Sequence, residues 1–431
     1  MTEIMEFLLV VLFAFAGTTL GCVTGMIPGF HVNNIALIML SISGSISIFL
    51  SSTGFIDELL VPVLVSIIIV ATAIAHTFVN IIPSTFLGAP EEDTALVLLP
   101  AHSMLMEGRG YGAITLSATG SLYAVEISFL LLIPFRLLMG PPANLYWVLD
   151  RITPFILLAV SAVLVGTEKS AKHVMYALLV FGLSGVFGMQ VMDMGPSSPV
   201  GANSSLLFPA LAGLFGIPTL IHSFGTASLP EQRMDEERID FMDGMKDAGT
   251  GVVAGSVVSI LPGVTSAVAT IMAMVARGKK DRENVIVTLS SVNTAASFFV
   301  LSMLFIAGKA RSGSAIAINE IMNVERWNAM LPPYSLCHML IAVVISALVS
   351  YHATRFMGRV VARHISSTPY DTVAKVSVVF ISFMVFVFTG FVGIAVLVTG
   401  TFIGMLCLEL KVRRSLCMGI LLLPIMLTYF L

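Results

Sequence analysis

Three acids stand side by side in "FLGAPEEDTALVLLPAH": Glu91, Glu92 and Asp93 follow the Gly88–Ala89–Pro90 turn and sit between apolar runs. Carboxylates in that setting attract a cation or a proton and repel a bare anion. Acids in a first helical turn also stabilise the helix through its dipole, by about 0.3–1 kcal/mol each. Both readings start from a chain break. Gly88 lets the backbone turn, and Pro90 suits a first helical position. A helix beginning there would aim unpaired N–H groups at a carboxylate or phosphate. Asn80 lies just upstream, and its amide can either coordinate a cation or hold an anion. His76 is one turn earlier on the same helix face and is placed to carry a proton or to pack. Glu126, inside "SLYAVEISFLLLIPF", has no basic residue one turn away. An acid in an apolar span marks an ion pathway unless another helix pairs with it. Arg109, in "EGRGYG", either meets an anion or reaches the membrane interface.

These residues belong to a pattern that occurs twice. "GCVTGMIPGF" (21–30) and "GSVVSILPGV" (255–264) both contain a Pro-Gly turn, Pro28–Gly29 and Pro262–Gly263. Each is followed by an apolar run and then by Val-Asn, Val79–Asn80 and Val292–Asn293. After each Val-Asn comes a glycine-broken segment, "FLGAPEEDTA" and "FIAGKARSGSA". Paired halves with Gly/Pro-interrupted segments point to the binding site of a transporter, at mid-membrane if the repeats are inverted. The candidate substrate residues are therefore Pro28, Gly29, Asn80, Gly88 and Pro90, with Pro262, Gly263, Thr265, Asn293 and Gly308 in the second half. Lys309 and Arg311 would add positive charge beside Gly308. His31, Asn33, Asn34 and Ser266 would line or cap the helix starts after the Pro-Gly turns. Glu91, Glu92, Asp93, Glu126 and His76 are the candidates for cation or proton coupling.

Only 11% of the 431 residues are charged and 57% are hydrophobic, where a soluble domain carries about 25% charged residues. The fold class expected is an all-α polytopic membrane protein of roughly 10–12 spans, at about 20 apolar residues each. The expected organisation is a first half over 1–220, a polar acidic connection over 221–248 and a second half over 249–431. Within it, apolar runs predict helices over 249–276, 330–351, 373–390 and 392–409 among others, and 80–106 and 203–228 read as broken or re-entrant segments. Basic clusters at 277–282, 355–363 and 411–414 set the orientation, cytoplasmic by the positive-inside rule. Lys309 and Arg311 then fall on the opposite side, and the side of the acidic stretch 231–247 stays open. The four cysteines are scattered without metal-ligand spacing. No P-loop, nucleophile–base pair or basic nucleic-acid surface is present, so neither ATP drive, an enzyme nor nucleic-acid binding is expected.

The stretch 80–113 resembles the large permease subunit of the tripartite tricarboxylate transporters, the TctA type. The residues that carry the likeness are Asn80, Pro83, Gly88, Pro90, Ala95, Leu96, Pro100, Gly108, Arg109 and Gly112, together with the two Pro-Gly pairs. The resemblance implies a secondary transporter in the cell membrane, coupled to Na⁺ or H⁺ and needing no other cofactor, that moves an organic anion. It also implies an extracytoplasmic binding protein and a small membrane subunit as partners. The sequence leaves oligomeric state open, a homo-oligomer among the options. The Glu91–Glu92–Asp93 run departs from the family's small residues and puts the cargo and the coupling ion in doubt. A polyprenyl-phosphate or other lipid-phosphate translocase is the alternative transport reading. A membrane-embedded enzyme or receptor is the alternative of another class.

Overall fold

The structure is a computed structural model that describes residues 3–27, 32–52, 56–88, 98–195, 199, 206–222, 224, 230–237, 239–260, 266–278, 281–366 and 370–430. Its helices are α1 (Glu3–Gly25), α2 (Val32–Ser52), α3 (Val61–Val79), α4 (Ile81–Leu87), α5 (Leu98–Met106), α6 (Gly110–Met139), α7 (Tyr146–Gly166) and α8 (Ala171–Asp193). They continue with α9 (Leu207–Leu211), α10 (Ile217–His222), α11 (Phe241–Ile260), α12 (Ser266–Arg277), α13 (Arg282–Ala307) and α14 (Gly313–Ile321). The last three are α15 (Tyr334–Ser366), α16 (Tyr370–Glu409) and α17 (Gly419–Phe430). No strand occurs among the described residues. Among the described residues, seven helical stretches are long and apolar enough to cross a membrane. This is an all-α polytopic membrane protein.

Two of those stretches form the centre. In the span Val61–Leu87, which is α3 running into α4, and in α13, 89% of the residues of the most apolar stretch are buried, against 39% in α1, α6 and α15. A helix apolar all round belongs inside a bundle, and α3 ("VPVLVSIIIVATAIAHTFV") has no charged residue. Each central helix has a companion that glycines bring into backbone contact. A Cβ on Gly17 or Gly21 of α1 would fall 2.5 Å from the carbonyl oxygen of Ile68 or Thr72 on α3. A Cβ on Gly251 or Gly255 of α11 would fall 2.5 or 2.7 Å from that of Thr288 or Val292 on α13. Small residues allow such close approach where lipid gives no hydrophobic drive between helices. The order of these contacts makes α1 parallel to α3 and α11 parallel to α13.

The central helices cross each other in opposite directions. Thr77 of α3 meets Thr294 of α13 with hydroxyls 3.0 Å apart. Earlier residues of α3 (Val70, Ala73, Ile74) line a small cavity with later residues of α13 (Ser297, Leu301). Outside this pair, α6 lies on α13 through Ser117–Ser290 (2.7 Å) and Ser291 to the Gly120 carbonyl (2.8 Å). In the same way α15 lies on α3, where the Ser346 hydroxyl donates to the Ala71 carbonyl at 2.7 Å.

Several sequence-based boundaries move. The helix expected over 249–276 is two helices, α11 and α12, and α11 begins at Phe241 inside the expected connecting segment. The helix expected to end near 351 runs to Ser366, carrying Arg355, Arg359 and Arg363 on its last turns. The expected break between 390 and 392 is present: Gly390 adopts φ +66° and ψ −156° within α16. The segment expected to be broken over 203–228 contains a π-helical turn, Ala212–Gly216, between α9 and α10.

Candidate functional site

The crossing of α3 and α13 is where the helices that precede both chain breaks, α1 and α11, come to an end. On α1 the last residue, Gly25, packs on Val79, while α4 runs on to Leu87, about 12 Å further at 1.5 Å per residue. On α11, Gly255 packs on Val292 and Ala295, so the helix ends at Ile260 near the level of Ser297. From there α13 continues about 15 Å to Ala307. Both companion helices therefore stop well short of the ends of the central helices, on either side of the Thr77–Thr294 contact. The chain resumes as α2 at Val32 and as α12 at Ser266. Pro28, Gly29 and His31, and Pro262, Gly263 and Thr265, lie between these helices and outside the described residues.

Polar side chains line this crossing at depth. His76, Thr77 and Asn80 of α3 and its end are 3%, 5% and 2% exposed, and Asn293 and Thr294 of α13 are 4% and 0% exposed. A buried amide must be hydrogen-bonded or offered to a ligand. The threonine pair joins the two central helices by side chains alone, a link the sequence reading missed. No pattern in the chain connects residues 217 positions apart.

The structure corrects four placements. Gly88 does not start a helix: it closes α4 in the left-handed conformation, φ +61° and ψ +28°. Gly308 closes α13 likewise, φ +63° and ψ +32°. Glycine caps helices this way because it has no Cβ to clash. Second, these glycines do not face each other at mid-membrane. Gly88 packs on Leu220 in the corner where Phe86 meets Gly110, beside the start of α13, while Gly308 meets Arg326 at its far end. Third, Asn80 and Asn293 are not equivalent, since Asn80 precedes its closing glycine by about two turns and Asn293 by about four. Fourth, Glu126 is exposed on α6 rather than buried against another helix. Pro90, Glu91, Glu92 and Asp93 lie outside the described residues. His102 is 7% exposed in α5.

A family model, "Tripartite tricarboxylate transporter TctA family", matches residues 11–419. The chain belongs to this TctA family. It is also similar to an uncharacterized protein of Methanocaldococcus jannaschii, 28% identical over 425 residues, 97% of this chain and 98% of the relative. No solved structure matches it.

The basic end of this TctA-family protein is closed by ion pairs. Arg109, at the start of α6, donates to Glu237 (2.6 Å) and Glu283 (2.7 Å). Arg282 pairs with Glu107, and Arg355 with Glu236. The acidic stretch whose side was open thus lies at the basic end. Its extended part, 230–237, straps the turn between α5 and α6. Gln232 accepts from the Gly110 N–H at 3.0 Å and donates to the Leu105 carbonyl at 3.0 Å. At the opposite end Arg311 donates to the Tyr146 hydroxyl at 2.8 Å and lies over its ring.

The ion pairs give the turn beneath the strap a pH signature. The hydrogen bond from Arg282 holds the Glu107 carboxyl below its ordinary value. The carboxylates of Glu237 and then Glu283 raise the Arg109 guanidinium above its own. A lowered carboxylate contributes stability above its unfolded value, about 4.3, and loses it as pH falls through the folded one. The turn between α5 and α6, where Glu107 sits, is expected to become protease-sensitive as pH falls through that folded value. Arg109→Met leaves Glu237 and Glu283 without their shared cation and is expected to make the strap itself protease-sensitive at neutral pH. Limited proteolysis followed by mass spectrometry of fragments cut within 105–110 and 230–240 reads the two effects.

Proposed function

We propose that the protein is a secondary active transporter of a small organic anion, of di- or tricarboxylate type, coupled to a cation or proton. In this reading it resides in the cell membrane and is built of two inverted repeats, α1–α6 and α11–α15. The observation that supports it best is the pair of companion helices, α1 and α11, that stop on opposite sides of the Thr77–Thr294 crossing. A substrate held there would meet the starts of α2 and α12, whose free N–H groups favour an anion, and the amides of Asn80 and Asn293. The antiparallel course of α3 and α13 fits alternating access by rocking one repeat against the other. An extracytoplasmic binding protein and a small membrane subunit, partners of the tripartite systems, would deliver the cargo.

The test is uptake of labelled citrate, other di- and tricarboxylates and polyprenyl phosphate into proteoliposomes, under Na⁺ or proton gradients. Concentrative uptake of a carboxylate under either gradient is the expected result. Movement of polyprenyl phosphate alone would replace the carboxylate reading with the lipid-phosphate one. Absence of any movement under both gradients would defeat the transport reading.

A further inference from the structure

Beside the end of each companion helix stands a buried hydroxyl with nothing to bond. Thr354 of α15 is 0% exposed, and its Oγ1 has no hydrogen-bond partner. Ser128 of α6 is likewise 0% exposed with an unpartnered Oγ. Other buried hydroxyls satisfy themselves on their own helix: Thr18 donates to the Ala14 carbonyl at 2.7 Å and Ser302 to that of Phe298 at 3.0 Å. A buried hydroxyl that makes no such bond is costly unless something else meets it. Ser66, Thr85 and Ser377, on α3, α4 and α16, also lack a partner, but Thr354 and Ser128 share an equivalent place.

That place follows from the packing. α15 runs parallel to α3 and also packs on α1. Ser346 meets the Ala71 carbonyl, and Ser350, one turn on, lies against the Cys22 thiol of α1. Thr354 continues the same face, about 12 Å past Ser346. It is therefore level with Val79, on which Gly25 packs as α1 ends. In the same way α6 runs parallel to α13 and packs on α11. Ser117 meets Ser290, and further along the Phe129 ring lies edge-on to Phe298 with centroids 5.1 Å apart. Ser128 belongs to the buried stripe Ser117, Ser121 and Ala124, level with Ser297, where α11 ends at Ile260.

Oxygens without formal charge converge at both ends. The last carbonyls of a helix have no partner inside it and form its negative pole. Among the described residues, α3, α4 and α15 carry no carboxylate, those of α1, α11 and α13 lie in their first two turns, and Glu126 of α6 is exposed. Hydroxyl and carbonyl oxygens hold no proton at neutral pH, but they coordinate a hard cation. With no carboxylate to balance a second charge, they suit a monovalent one. We propose that Thr354 and Ser128 are ligands of a monovalent cation such as Na⁺, each completing a site with the carbonyl end of a companion helix, α1 and α11 respectively. An ion bound there ties α15 to α1 and α6 to α11. Its role in coupling rests on the transport reading above, in which the anion at the starts of α2 and α12 balances the charge.

Two measurements separate the ion sites from that reading. The first is thermal unfolding of the purified protein as NaCl replaces choline chloride at constant ionic strength. A ligand of the folded state raises the unfolding temperature with its concentration, and the wild type is expected to respond to Na⁺ in this way. Thr354→Val and Ser128→Ala are each expected to raise the Na⁺ concentration needed for the same response by tenfold or more. Without Na⁺ both should be at least as stable as wild type, because an unmet buried hydroxyl has been removed. Thr18→Val, which loses a hydroxyl already bonded to the Ala14 carbonyl, is the control expected to keep the wild-type titration. No Na⁺ response in the wild type, or the same titration in wild type, Thr354→Val and Ser128→Ala, would overturn the inference whether or not the protein transports. The second is carboxylate uptake into proteoliposomes. Both variants are expected to need tenfold more Na⁺ for half-maximal uptake, with KM for the carboxylate at saturating Na⁺ within about twofold of wild type. Full accumulation under a proton gradient in Na⁺-free buffer would overturn the coupling role. A wild type inactive on every carboxylate would defeat the transport reading, and the unfolding titration would still decide the ion sites.

Discussion

Gly255→Leu is expected to leave almost no folded protein in the membrane. A Cβ there falls 2.7 Å from the Val292 carbonyl oxygen and 2.8 Å from the Ala295 Cβ, both on α13. These neighbours are backbone or directly attached to it, so the clash can be relieved only by moving α11 off the central helix. Overpacking a core commonly costs about 1–3 kcal/mol, and loss of a whole helix contact costs more than a single strained side chain. Gly249→Leu is the control on the same helix, because nothing lies within 4 Å of a Cβ at that position. Membrane yield and the gel-filtration profile of a fluorescent fusion should fall for Gly255→Leu and stay near wild type for Gly249→Leu. Equal profiles would mean that α11 and α13 do not make backbone contact.

Asn293→Leu and Asn80→Leu are expected to separate folding from transport. Each removes a buried amide at similar volume. A hydrogen bond between transmembrane helices contributes roughly 0.6–2 kcal/mol, so both variants should fold. A hydrogen bond to a charged partner contributes about 1.5–3 kcal/mol, equivalent to roughly a 10- to 150-fold rise in KM for an anionic substrate. The two effects need not match, since the asparagines sit at different depths from their closing glycines. Uptake kinetics in proteoliposomes, normalised to reconstituted protein, give the ratio. Unchanged KM in both variants would reduce the amides to helix-packing groups.

Much of this architecture is legible in the chain because it rests on local physics. Apolar runs locate the long helices, and Gly17, Gly21, Gly251 and Gly255 occur at four-residue spacing because two backbones must touch along one face. The Pro-Gly turns point to the two breaks. The Val-Asn dipeptides mislead for the same local reason: two residues recur, but position in the fold is set by the whole helix, and Asn80 and Asn293 fall in different registers. Gly88 reads as a helix start because proline follows it, yet the left-handed cap depends on the helix that precedes it. Two links are invisible in the chain because each joins residues far apart in sequence: Thr77 with Thr294, and Arg109 with Glu237 and Glu283. Each partner alone is an ordinary residue on its helix, and only the fold brings the pairs together.

The central claim is that the α3–α13 crossing is where the anion is carried. Thiol labelling of Thr294→Cys, in a background with Cys22, Cys337, Cys407 and Cys417 replaced, tests it most directly. In a protein that still transports, a small water-soluble thiol reagent is expected to reach position 294, and saturating transported anion is expected to slow the reaction at least severalfold. Labelling at the same rate with and without the anion, or none at all during active transport, would contradict the account.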